Sequence, residues 1–114
     1  MSIELFQQRD ELCRKLSESV RLMQKYGIEQ AEAQCAYNEE LAKTAVRLKD
    51  DGMSATLINT VIHGTGQVPK LRMKRDVSDV MFSTARENIN SIKLQLKVVQ
   101  SQIDQEWGMA KREL

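Results

Sequence analysis

Between Phe82 and Ile103 an apolar residue returns at alternating steps of three and four: Phe82, Ala85, Ile89, Ile92, Leu96, Val99 and Ile103. A seven-residue repeat sustained for three cycles places all of these side chains on one stripe of a helix. Such a stripe is not satisfied by water, and most helical stability comes from packing it against something else. The chain is therefore committed to a long helix, expected over residues 70–111, and to a second helix that covers it. The stripe weakens at Glu106 and Ala110, and Trp107 stands beside its end.

The covering helix is expected in the first half, over residues 1–51. Leu5, Leu12, Leu16, Val20 and Met23 form one helical stripe. Ser2 suits an N-cap, and Glu4 places negative charge in the first turn. Tyr26-Gly27-Ile28 interrupts the pattern, and glycine in a helix interior costs about 1 kcal/mol relative to alanine. The interruption marks a kink or a true break. Beyond it the stripe resumes with smaller residues, Ala31, Ala33, Cys35, Ala36, Tyr37, Leu41, Ala42, Ala45 and Leu48, which let a neighbouring helix approach closely. Asp50-Asp51-Gly52 ends the helix, with Gly52 at the position where a left-handed residue closes it. Ser54 then caps a short helix over residues 54–63, with Leu57, Ile58, Val61 and Ile62 on one face. Gly64-Thr65-Gly66 stops that helix, and Pro69 suits the first turn of the next.

Two long helices with one apolar stripe each are most economically joined as an antiparallel hairpin. The expected fold is all-α: one helical domain over residues 1–114, with a short helix and a basic loop, Lys70-Leu71-Arg72-Met73-Lys74-Arg75, at one tip of the hairpin. A two-helix core is thin, so apolar surface is left over and self-association into a homo-oligomer is expected, with the seam of Phe82, Ile89, Ile92, Leu96, Val99 and Ile103 serving helix packing and assembly.

Composition agrees with this class. Apolar residues make up 41% and charged residues 29% of the 114, a balance that excludes a disordered chain. Aromatics are few, at 4%, and a sheet would want more of them together with period-two alternation. No apolar run reaches the length of a membrane span. The first ten residues lack the basic and apolar regions of a signal peptide. Cys13 and Cys35 would lie about 33 Å apart on a continuous helix, too far for a disulfide, and are expected as free thiols in a reducing cytoplasm.

The net charge of +1 gives no global push toward polyanions, but its distribution is uneven. Residues 63–75 hold four cations, Lys70, Arg72, Lys74 and Arg75, and no acid. Cations are mildly unfavourable at a helix start, so their presence asks for a reason, and contact with nucleic-acid phosphates supplies one. The Gly-rich stretch His63-Gly64-Thr65-Gly66-Gln67 is not a nucleotide-binding loop, because no Lys-Ser/Thr follows and no strand precedes. His63, the single histidine, has no cysteine at zinc-ligand spacing. Glu39-Glu40 and Asp50-Asp51 are adjacent acids, whereas hydrolases set two carboxylates across a cleft. Trp107-Gly108 lies far from the mid-chain turn and does not form the tip of a hairpin. A non-enzymatic role without cofactor or metal is expected.

Leu48-Lys49, Gly52, Ala55-Thr56-Leu57-Ile58 and Gly64 are similar to small proteins of bacteriophage and prophage early regions. So are Val68, Leu71 with Lys74-Arg75-Asp76-Val77, Lys93-Leu94-Gln95 and Glu106-Trp107. In layout the chain also resembles phage recombination mediators of the UvsY type. The resemblance implies an accessory protein of DNA recombination or replication, oligomeric, in the cytoplasm of a bacterial host. Its implied partners are single-stranded DNA, met through Lys70, Arg72, Lys74 and Arg75, or phage recombination proteins. The chain departs from such proteins in having no aromatic stacking residue beside its basic run. The alternative is an adaptor or inhibitor that docks a helical face onto a host or phage protein without binding DNA.

Overall fold

In the computed structural model, which describes residues 3–113, the chain is all-α. Helix α1 spans Ile3–Asp50, α2 spans Ala55–Val61, one 3-10 turn follows at Ile62–Gly64, and α3 spans Val68–Glu113. The two long helices pack antiparallel with the short helix between them. The expected cap at Ser2 lies outside the described residues.

Contacts divide the chain into two compact units. The first joins the start of α1 to the end of α3, residues 1–24 and 84–114. Its core is Leu12 on α1 against Ile92, Val99 and Ile103 on α3, with Leu5, Phe6, Leu16 and Leu96 packed around them. The seam read from the sequence is thus covered inside a single chain: Ala85, Ile89, Ile92, Val99 and Ile103 are all buried. A second copy wanting those side chains would have to uncover them. Ser19, also buried, accepts a hydrogen bond from the Asn88 amide at 3.0 Å across the two helices.

The second unit, residues 25–83, holds the rest of α1, the connection and the start of α3. Gly27 neither breaks nor reverses α1, which runs through it as helix. A Cβ at this position would stand 3.2 Å from Cε2 of Phe82. The glycine is there to admit the Phe82 ring, so the interruption in the sequence marks a close approach and not a chain break.

At the end of α1 the backbone closes as a Schellman motif. The Met53 N–H reaches the Leu48 carbonyl at 3.1 Å, and the Gly52 N–H reaches that of Lys49 at 3.0 Å. Gly52 has φ +89°, a conformation that costs an L side chain but not glycine. Leu48 and Met53 then meet in a small core with Ile58 and Ile62, so α2 is held onto the end of α1 by the residues that end it. Ser54 caps α2 as expected, its Oγ accepting from the Leu57 N–H at 3.3 Å.

The start of α3 corrects one expectation. Val68 is fully buried and opens the helix, so Lys70, Arg72, Lys74 and Arg75 lie on its first two turns and not in a loop. Gly66, with φ +56°, and the Thr65 hydroxyl, bonded to the Val61 carbonyl at 2.7 Å, complete the turn just before them.

Two predictions follow the division between inner and outer positions. Ile92 is 5% exposed and Leu94, two residues on, is 64% exposed. Urea denaturation should show Ile92→Ala costing about 2–5 kcal/mol and Leu94→Ala within about 0.5 kcal/mol of the parent. Gly27→Ala should gain about 1 kcal/mol of helix propensity in a Phe82→Leu background and less in the native one. Equal effects in both backgrounds would show that the ring does not press on this site.

Candidate interaction surfaces

The four sequence-predicted cations do not converge. Lys70 and Lys74, one turn apart, share a side of α3, and Arg72 falls about half a turn away. All three are exposed, and among the described residues none makes an ion pair. Arg75 turns inward instead. Its guanidinium lies over the Tyr37 ring, 4.4 Å from the centroid, and donates to Asp76 at 2.9 and 3.1 Å. The hydrogen bonds it gives to the Asp76 carboxylate raise the pKa of Arg75 above its ordinary value. A guanidinium engaged on two sides is less free to reach a phosphate than the exposed Lys70, Arg72 and Lys74. Tyr37 is buried on α1, and its hydroxyl stands 3.4 Å from Nδ1 of His63, which ties the connection to α1.

Outward on α3, from its second turn onward, runs an apolar stripe that the sequence analysis does not pick out. Met73, Val77 and Val80 recur at steps of four and three, with Met81 beside them, and all four are exposed. The signal was present in the spacing, but the inner seam begins at Phe82 and drew the register to itself. Two acids on this stretch are engaged within the unit: Asp76 by Arg75, and Asp79 by the Gln30 amide at 2.7 Å.

In the first unit two open furrows flank the packed seam. One, of about 940 Å³, is floored by Leu12, Leu94, Val98 and Val99 and edged by glutamines with Glu4, Glu11 and Lys15. Its Glu11 carboxylate accepts from Arg14, which holds it below the usual carboxylate pKa, and Arg14 also donates to Glu18 at 2.6 Å. One cation between two acids leaves that group net negative. The other furrow, of about 750 Å³, is lined by three cations, Arg9, Lys93 and Lys97, with no acid. Arg9 is partly spent on the Phe6 ring, 5.0 Å from its centroid, and on Asp10 at 3.4 Å. This positive surface was invisible to sequence reading, because Arg9 and the two lysines are brought together only by the packing of α1 on α3.

Among the described residues, no group of three or more His, Cys, Asp and Glu side chains is placed to hold a metal ion. Cys13 and Cys35 are free and exposed. Among the described residues no helix is long and apolar enough to cross a membrane. No family model, curated protein or solved structure matches the chain.

If Arg75 is a packing residue, Arg75→Gln should lower the thermal midpoint, while Lys70→Gln and Lys74→Gln leave it unchanged within error. A midpoint unmoved by Arg75→Gln returns that residue to the surface set.

Proposed function

We propose that this chain is a non-catalytic accessory protein that acts by docking helical faces onto another protein chain. Its setting, on the residues that resemble phage early-region proteins, is DNA recombination or replication. One observation carries the docking role. Met73, Val77 and Val80 are 68%, 51% and 63% exposed on a single helical face, in a chain that covers its other seam internally. Apolar side chains at steps of four and three are the pattern by which an amphipathic helix is read by a partner groove, and contiguous apolar surface of this kind marks interaction sites.

The test is a binding titration between the purified chain and a phage single-strand annealing protein or recombinase. Val77→Glu with Val80→Glu should weaken the complex at least tenfold while circular dichroism stays unchanged, since both side chains already face solvent. Undiminished binding by that double variant sinks the docking reading.

A second reading is favoured by Lys70, Arg72 and Lys74, which are exposed and without ion-pair partners among the described residues. They would meet the backbone of single-stranded DNA, with Arg9, Lys93 and Lys97 as a further positive surface. Phosphate contacts are lost steeply as salt rises, because each releases condensed counterions. Under this reading, replacing Lys70, Arg72 and Lys74 with Ala lowers the affinity for a single-stranded oligonucleotide and flattens its salt dependence. Unchanged affinity and slope reject it.

A further inference from the structure

The glutamine-edged furrow of the first unit has the form of a place for a third helix. On α1 its wall is Glu4, Gln8, Glu11 and Lys15, at steps of four, three and four. On α3 its wall is Ser91, Gln95, Val98 and Gln102, at the same steps. Two antiparallel rows at this spacing make the holes into which a third helix sets its knobs. The floor is apolar and open: Leu94 and Val98 are 64% and 58% exposed.

The chain itself carries a helix face that fits. The outer stripe Met73, Val77 and Val80 repeats at four and three, the spacing of the walls. Its edge carries Lys70 and Lys74, which make no ion pair among the described residues, while the exposed acids on the same turns already accept from Arg75 and Gln30. The furrow's edge is acidic at one end, through Glu4 and through Glu11, which together with Glu18 leaves the group around Arg14 net negative, and basic at the other, through Lys15. A helix entering parallel to α1 would bring Lys70 and Lys74 against Glu4 and Glu11 and keep them from Lys15.

We infer that the furrow of the first unit takes the outer face of α3 from a second copy of this chain. The inference rests on the docking reading above and names its partner. Contact between two different surfaces is heterologous, so it closes into a ring or dimer, or else extends. Opposite charges at the edges set the register and direction of the incoming helix.

Sedimentation equilibrium of the full chain at low salt tests this. Reversible self-association is expected, weakening as salt rises. Lys70→Glu with Lys74→Glu should raise the dissociation constant at least tenfold, and Glu4→Lys with Glu11→Lys should do the same. All four changes in one chain should restore association toward the parent value. Leu94→Glu, on the floor, should abolish it with no loss of helicity by circular dichroism. A chain that stays monomeric at every concentration overturns the inference, as does association indifferent to the charge changes or a fourfold variant that fails to recover. The docking reading is judged separately: a monomer that binds the recombination protein, and loses it on Val77→Glu with Val80→Glu, refutes self-pairing alone.

Discussion

Each long helix carries an apolar stripe that water cannot satisfy, and within one chain only the other helix is long enough to cover it. In the first unit this is met by Leu12 against Ile92, Val99 and Ile103. Burial of aliphatic side chains of this size contributes roughly 1.5–3 kcal/mol each before entropy is counted. In the second unit the same demand is met differently. The absent side chain of Gly27 on α1 lets the Phe82 ring come close, and Ala33 and Tyr37 on the same helix are buried. The cluster of Leu48, Ile58 and Ile62 then seals the connection.

That constraint shapes what is left for function. A helix in a two-helix pair covers about one stripe and exposes the rest of its circumference. Where the remainder is charged, the chain is finished; where it is apolar, it asks for a partner. Met73, Val77 and Val80 on α3, and Leu94 and Val98 farther along it, are of the second kind. The cations fall between them. Lys70 and Lys74 edge an apolar face, which makes them as suited to steering a protein partner as to neutralising phosphates. Arg75, the fourth of the run, has already been taken for packing on Tyr37.

How much of this was legible depended on range. Ile89, Ile92, Val99 and Ile103 were readable because their periodicity is a local property of consecutive residues. Gly52 and Ser54 were readable because a helix end and a helix cap demand particular residue types at particular places. Gly27 was not, since a glycine inside a helical pattern encodes a break and a close approach equally well. Only the Phe82 ring, more than fifty positions away in sequence, distinguishes them. The basic run reads as a loop because its local composition does not show that Val68 is buried and anchors the turn before it. The furrow with Arg9, Lys93 and Lys97 had no signal in any short stretch.

The sequence alone therefore determined that the chain is helical, where its helices stop, and which seam is buried. These follow from spacing, capping and the cost of exposing apolar stripes. The tertiary structure decided which outward faces are apolar, that Arg75 lies over Tyr37 beside Asp76, and that Gly27 faces the Phe82 ring. Those outcomes depend on pairs of residues far apart in the chain, and pairing is fixed only when α1 and α3 lie side by side.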